Sequence, residues 1–190
     1  MKLRIFMVFM LGFMTMMFFN GCAEIQEFLE DAEESSASEN PNSDSFKPRY
    51  IITVCSIVKY PRAGDLEQEV QCINGKGIWI NTNQNFSSKY IKDAKLLPRP
   101  GDPNICDLQL KLDRLGKTQW QILAGMHIEQ PVAFIVDGIC YTTFIPEPPA
   151  SEQNSWVKLK VGINPYTAKG IVKFAKKNYT YYNPSTSSWF

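Results

Sequence analysis

Five cysteines and a single histidine are the residues of this chain best suited to nucleophilic, redox or metal chemistry. The histidine, His127, has no recognisable nucleophile or acid motif beside it, which favours a structural or surface role over catalysis. No cysteine pair has C-x-x-C spacing, which argues against a zinc centre. Asp65, Glu67 and Glu69 alternate along one side of an extended segment, where a solvated edge is favoured over a cation site. We therefore predict no cofactor, no metal and no catalytic residue.

The first 21 residues have the organisation of a secretory signal peptide. A basic start, Met1–Arg4, precedes an apolar run of fifteen residues, Ile5–Phe19, which is too short to predict a membrane span. The run ends in Phe19-Asn20-Gly21-Cys22, which resembles the lipobox of bacterial lipoproteins. The resemblance implies cleavage before Cys22 and acylation of that cysteine, for example with palmitate, so that the protein is anchored to a membrane and faces the periplasm. Ala23 in the next position favours the outer membrane.

A conventional signal peptide followed by an incidental cysteine is the alternative.

Beyond the signal the chain has two parts of opposite charge. Residues 22–48 contain eight Asp or Glu against one Lys, and their polar composition predicts a flexible tether. Residues 49–190 contain seventeen Lys or Arg against eleven acidic residues. That surplus is compatible with an anionic partner, but a soluble lysine-rich surface is favoured, and we predict no nucleic-acid partner.

Four cysteines are disulfide candidates, because an even number in an exported domain favours pairing. They are Cys55, Cys72, Cys106 and Cys140. Three pairings are possible. We favour Cys55 with Cys72, which lie on neighbouring strand-like segments, and Cys106 with Cys140, whose strands are expected to lie close together.

The stretch Pro131–Pro146 predicts two strands folded back on each other at Asp137-Gly138. A two-residue primed turn needs positive φ at both central positions, which Gly adopts freely and Asp tolerates. In that register the opposed pairs are Val136 and Ile139, Ile135 and Cys140, Phe134 and Tyr141. One face would carry Val132, Phe134, Val136, Ile139, Tyr141 and Ile145. The other face is also largely apolar, which indicates a central place in a sheet; it would carry Ala133, Ile135, Cys140, Thr142 and Phe144.

The remaining pattern predicts an α+β domain over residues 49–180, with a mostly antiparallel sheet, the Asp-Gly hairpin at its centre and two helices packed on one face. The helices are expected to start at Asp113 and at Asn164-Pro165. Ser87 or Ser88 is expected to cap a short helix through Lys92. Further strands are predicted at Tyr50–Val58, Val70–Ile73, Ile78–Ile80, Leu108–Leu112 and Val157–Val161. An aromatic tail, residues 181–190, follows.

Four segments in a fixed order carry a resemblance to a known family. They are Ile91–Ala94, the helix segment Gly116–Leu123, the hairpin Gln130–Pro146 and the helix segment Pro165–Phe174. Together they resemble the head part of the first periplasmic domain of SecD, the accessory subunit of the bacterial protein-export channel. Thr142-Thr143-Phe144 replaces the small residues that the family has after the turn. The resemblance implies a fold more than it implies a role in export.

The anchor, the spacer and the domain in series predict a non-catalytic, lipid-anchored protein of the bacterial cell envelope. Its domain is expected to bind a polypeptide or an envelope partner, and its lipid is expected to make the membrane a second partner. A structural envelope lipoprotein without a dedicated ligand is the main alternative. A hydrolytic enzyme of unrecognised class is the less favoured one.

Acyl labelling tests the predicted anchor. In a bacterial host we expect the wild-type chain to incorporate labelled palmitate and the Cys22→Ser variant not to, because acylation begins at the thiol of Cys22. A wild-type chain that stays unlabelled would contradict the prediction.

Overall fold

The structure is a computed structural model that describes residue 41 and residues 46–62, 64–83, 85–149 and 154–184. The predicted signal peptide, Cys22, nearly all of the predicted tether and residues 185–190 of the predicted tail lie outside the described residues. Within them the chain forms nine strands and two α-helices. The strands are β1 (Ile52–Ser56), β2 (Glu67–Gln71), β3 (Gly77–Asn81), β4 (Phe86–Ser87), β5 (Ile91–Arg99), β6 (Asp102–Leu112), β7 (Val132–Val136), β8 (Ile139–Phe144) and β9 (Trp156–Ile163). The helices are α1 (Arg114–Met126) and α2 (Pro165–Tyr182).

These strands form a four-stranded sheet in the order β4-β1-β7-β8, a three-stranded sheet in the order β5-β6-β9 and the two-stranded sheet β2-β3. Every strand pair inside the three sheets is antiparallel. Both helices add buried side chains to the same hydrophobic cluster, Trp120 and Leu123 from α1 and Ala168 and Ile171 from α2. The predicted α+β fold is confirmed, but β8 lies at the edge of its sheet, so only β7 of the predicted central hairpin is a central strand.

The Asp-Gly turn joins β7 and β8 as neighbours. Asp137 has φ of 48° and Gly138 has φ of 83°, as a primed two-residue turn requires. The pairs next to the turn, Val136 with Ile139 and Ile135 with Cys140, are as predicted.

The predicted pairing of Phe134 with Tyr141 is wrong. A β-bulge shifts the register after Ile135, so that Phe134 lies opposite Thr142. Phe144 therefore reaches the face of Phe134, where the two rings lie 6.1 Å apart, instead of the opposite face. Ile139 and Ile145, predicted for the buried face, are each 52% exposed.

The side chain of Asp137 fastens the start of β1 to this turn. Its two carboxylate oxygens accept hydrogen bonds from the backbone N–H groups of Tyr50, at 2.8 Å, and Ile51, at 2.7 Å. The backbone N–H of Asp137 donates to the carbonyl of Ile51 at 3.0 Å. Three hydrogen bonds thus fix where the strand enters the sheet, and two of them involve an ionised acceptor, which makes them stronger than neutral ones.

The four-stranded sheet is covered on both faces. One face belongs to the larger hydrophobic cluster, together with both helices and the three-stranded sheet. Trp120 of α1 is fully buried there, between Phe86 at 5.1 Å and Phe144 at 6.2 Å, and its indole N–H donates to the carbonyl of Glu147. The other face belongs to a smaller cluster formed with the β2-β3 hairpin, made of Cys55, Cys72, Ile78, Ile80, Ala133, Ile135 and Cys140.

The favoured cysteine pairing is wrong, because Cys72 forms a disulfide with Cys140. The Cα atoms of the two residues lie 4.5 Å apart, and their backbones form a parallel bridge. Cys55 and Cys106 are buried free thiols. Cys106 lies in the larger cluster and Cys140 in the smaller one, so the sheet itself separates the predicted partners.

The predicted starts of both α-helices are confirmed, but the predicted short helix through Lys92 is not. The Asp113 carboxylate accepts from the N–H of Gly116 at 2.6 Å, and the Asn164 side chain accepts from the N–H of Thr167 at 2.8 Å. The predicted short helix through Lys92 is only a 3-10 turn, Ser88–Tyr90, after which β5 begins. The hydroxyl of Ser88 accepts from Ile52 N–H at 2.7 Å and so serves β1 instead of capping a helix.

The predicted tail begins later than its sequence suggested, because α2 continues through Tyr182. No described helix is long and apolar enough to cross a membrane. The unit Lys47–Phe190 contains every residue of both hydrophobic clusters. It therefore has its own core, and we expect it to fold when produced alone.

Two glycine-to-alanine substitutions, with opposite expected effects on the free energy of unfolding, test the turn. A Cβ at Gly138 would meet no atom within 4 Å, but its φ is +83°, so Gly138→Ala should destabilise the unit by about 1 kcal/mol through backbone strain. Gly125, inside α1, also has open space around it. Gly125→Ala should stabilise by about 0.5–1 kcal/mol, because alanine is the better helix former. Urea unfolding of both variants measures the difference, and equal stabilities would contradict the turn geometry.

Candidate functional site

A cleft of about 550 Å³ lies between the four-stranded sheet and the β2-β3 hairpin. Side chains alternate along β1, so that Ile52 and Val54 join the larger cluster while Thr53 and Cys55 turn to the cleft. Ile135, from the neighbouring β7, lies on the same side as Cys55. This face of the sheet forms one apolar wall of the cleft.

The β2-β3 hairpin forms the opposite wall. Val70 and Ile80 supply its apolar part, and Gln68 and Thr82 lie further along it. The hairpin is fastened to the sheet by the disulfide of Cys72 and by a hydrogen bond from Ile73 N–H to the carbonyl of Cys140, at 2.9 Å. A second bond, from Val58 N–H to the carbonyl of Trp79, measures 2.8 Å. These links fix the two walls of the cleft relative to each other.

The rim of the cleft is polar and carries both signs of charge. Ser88 and Lys89 line it from the 3-10 turn, Asp137 from the hairpin turn and Tyr182 from the last turn of α2. The end of the helix is held there, since the side-chain amide of Asn183 donates to the carbonyl of Lys89 at 2.8 Å. An entering ligand would meet an ammonium and a carboxylate at the mouth and apolar side chains inside.

Two titratable groups of the cleft stay uncharged near neutral pH. Burial raises the pKa of the Cys55 thiol to about 11, so this sulfur is not a thiolate nucleophile. Burial, with smaller contributions from Tyr181 and the Asp137 carboxylate, raises the pKa of the Tyr182 hydroxyl. Cys55 and Tyr182 therefore offer the cleft apolar contact and hydrogen bonding, but not an anionic nucleophile.

In the structure, His127 contacts Ser56, and this contact was not predicted from the sequence. The Nε2 atom of His127 lies 2.8 Å from the hydroxyl of Ser56, and the side-chain amide of Asn85 also donates to that hydroxyl. Burial lowers the pKa of His127, which keeps the ring neutral at pH 7. Among the described residues, no carboxylate hydrogen bonds to the ring, and neither Ser56 nor His127 lines the cleft. The pair links the end of α1 to the end of β1.

The alternating carboxylates predicted as a solvated edge lie apart from the cleft wall. Glu67 and Glu69 alternate on β2 with Gln68 and Val70, and Asp65 precedes the strand in a turn. The Glu67 carboxylate accepts from Arg62 N–H at 2.5 Å. Within the described part of the chain, no three His, Cys, Asp or Glu side chains come together as a metal site.

Sequence reasoning did not find the cleft. The apolar side chains that line it were assigned to strands, but the packing of the β2-β3 hairpin over β1 and β7 joins segments far apart in the chain. A hint was present in Thr53 and Cys55, since a strand buried on both faces carries apolar side chains at nearly every position. Thr53 instead predicts a face that is only partly covered.

Comparisons with known proteins return a distant structural likeness. No family model and no curated protein matches the chain. A membrane component SecDF that enhances protein export is similar with a TM-score of 0.47 and 11% sequence identity, over 68% of this chain and 63% of that chain. SecDF in a super-membrane-facing form is similar with a TM-score of 0.48 and 11% identity, over 68% of this chain and 19% of that chain.

In both cases the matched region spans less than two thirds of the SecDF chain. SecDF is the export component to which the sequence motifs around the hairpin pointed. At 11% identity and these TM-scores, membership of that family is not shown.

The pH dependence of stability tests the burial of His127, the only histidine of the chain. Its pKa is lowered in the folded state, so the folded chain binds fewer protons than the unfolded chain just below pH 6.5. The stability that depends on the neutral ring is present above that pH and is lost as the pH falls through the folded-state pKa. We expect the free energy of unfolding in urea to decline from pH 7.5 to 5.5.

His127→Gln is the matched variant for this experiment, because an amide can still hydrogen bond to Ser56 but does not titrate. We expect its unfolding free energy to change much less over the same interval. An equal decline in both proteins would show that His127 is not the responsible group.

Proposed function

We propose that this protein is a non-catalytic component of the bacterial cell envelope, anchored through acylated Cys22, whose cleft binds apolar segments of extended polypeptides. The observation that carries the proposal is the open, apolar cleft between the four-stranded sheet and the β2-β3 hairpin. Its volume of about 550 Å³ is within the range of ligand-binding pockets, roughly 300–1,000 Å³.

The composition of the cleft favours a polypeptide over a charged small molecule. Inside, Val70, Ile80 and Ile135 offer apolar contact to side chains. At the rim, the Lys89 ammonium can donate to the C=O groups of a peptide backbone, and the Asp137 carboxylate can accept from its N–H groups. An extended peptide presents polar backbone groups together with apolar side chains. Proteins commonly recognise such peptides by combining main-chain hydrogen bonds with pockets for the side chains.

Two observations support a binding role without chemistry. The thiol in the cleft, Cys55, is held in its protonated form, because burial raises its pKa to about 11. The histidine that could act as a general base, His127, is engaged with Ser56 outside the cleft. A nucleophile and a base within reach of each other in the binding site are what covalent catalysis requires.

The disulfide supports the proposed location. Disulfides persist in oxidising compartments such as the periplasm and are rare in the cytosol. Cys72–Cys140 fastens the β2-β3 wall of the cleft to β8, so its formation after export would complete the binding site.

Binding to a chain that stays unfolded tests the proposal. The probe is fluorescein-labelled lactalbumin, reduced and carboxymethylated, and its anisotropy is measured with the oxidised Lys47–Phe190 unit. We expect saturable binding by the wild type and at least a tenfold loss of affinity for Thr53→Arg. Thr53 is half-buried in the cleft wall, where the long cationic side chain would occupy the apolar space.

Thr118→Arg is the matched control, because it makes the same change on the exposed surface of α1. Its affinity should equal that of the wild type. Binding that survives Thr53→Arg would place the peptide site elsewhere, and absence of binding by the folded wild type would overturn the proposed function.

A further inference from the structure

The outer face of the three-stranded sheet carries a cationic surface unrelated to the cleft. Residues alternate along β5, β6 and β9, so that Ala94, Leu110 and Val157 enter the larger hydrophobic cluster while their neighbours point away from it. We name four of these outward residues the Lys-Trp face: Lys95, Lys111, Trp156 and Lys158. None of the four lines the cleft.

The strand register places these side chains in two adjacent rows. Lys111 lies directly opposite Trp156, and in the next row Gln109 lies opposite both Lys95 and Lys158. The Nζ atom of Lys95 lies 4.6 Å from the centroid of the Trp156 ring, and that of Lys111 lies 5.9 Å from it. Two ammonium groups therefore converge on one indole, which orients them through cation–π attraction.

The carboxylates of this sheet face are already neutralised. Asp107 is paired with Arg99 at 2.6 Å and also accepts from the N–H of Gly162 at 3.2 Å. Asp93 is paired with Lys176 of α2 at 3.5 Å. Asp93 lies opposite Lys111 in the strand register, so one carboxylate borders the Lys-Trp face. Because each of the two carboxylates has its own cationic partner, the three lysines still give the face a net positive charge.

The arrangement of the indole selects among anionic partners. Nucleobases and sugar rings are bound by stacking on an aromatic face, but the Trp156 ring is engaged by two ammonium groups. Phosphate groups need no stacking surface and pair directly with the lysines. Tryptophan is enriched at membrane–water interfaces, and clustered lysines are attracted to the anionic lipids of such a surface.

We propose that the Lys-Trp face binds the surface of a bilayer that contains anionic phospholipids, with the lysines on the lipid phosphates and Trp156 at the headgroup level. Each lysine near such a surface strengthens binding by about fivefold. Three lysines together give about a hundredfold preference for anionic over zwitterionic lipid. This contact would orient the domain on the membrane, independently of what the cleft binds.

Vesicle sedimentation with the Lys47–Phe190 unit tests the proposal, because this unit lacks the apolar run Ile5–Phe19 that would itself enter a bilayer. The vesicles contain phosphatidylcholine alone or with 30 mol% phosphatidylglycerol. We expect the wild type to bind the mixed vesicles at least tenfold more tightly than the neutral ones. The variant with Lys95→Gln, Lys111→Gln and Lys158→Gln should bind the mixed vesicles about a hundredfold more weakly than the wild type.

A second triple variant, Lys59→Gln with Lys76→Gln and Lys117→Gln, has the same net charge but leaves the Lys-Trp face intact. Its binding should stay within twofold to threefold of the wild type. An equal loss in both triple variants would show that only the overall charge matters, and equal binding to both vesicle compositions would also overturn the proposal. So would wild-type binding to soluble polyglutamate without binding to the anionic vesicles, since the partner would then be an acidic polypeptide.

Discussion

The carboxylate of Asp137 makes the contact on which the rest of the domain depends. The backbone of Asp137 forms the β7-β8 turn, while its side chain accepts from the backbone N–H groups of Tyr50 and Ile51 at the start of β1. Because β1 and β7 are the two inner strands of the four-stranded sheet, this contact helps to align them. The alignment decides which residues of β1 face the helices and which face the cleft.

The cleft follows from the unequal covering of the two faces of that sheet. Helices and the three-stranded sheet cover one face completely, with large side chains such as Trp120 and Phe134 fully buried. The other face is covered only by the five-residue strands β2 and β3, which leave part of it open. A two-stranded hairpin is marginally stable by itself in water, so the Cys72–Cys140 disulfide and the hydrogen bonds around it are what hold this wall in place.

Charge is distributed so that the two proposed surfaces do not compete. In the cleft, burial keeps the Cys55 thiol and, at the rim, the Tyr182 hydroxyl in their protonated, uncharged forms. The positive surplus that the composition indicated is concentrated partly on the outer face of β5-β6-β9, around Trp156. An apolar segment of a polypeptide and an anionic surface would therefore be recognised by different sides of the domain, through different physical forces.

Features whose cause lies within a few residues could be predicted from the amino-acid sequence. The positive φ values at Asp137-Gly138 and the helix caps at Asp113 and Asn164 depend on local backbone chemistry, and all three were predicted. The bulge in β8, the disulfide partner of Cys140 and the contact between Ser56 and His127 were not, because they depend on which distant segments pack together. Such features are fixed by tertiary packing, because apolar periodicity indicates that a face is buried but not which segment buries it.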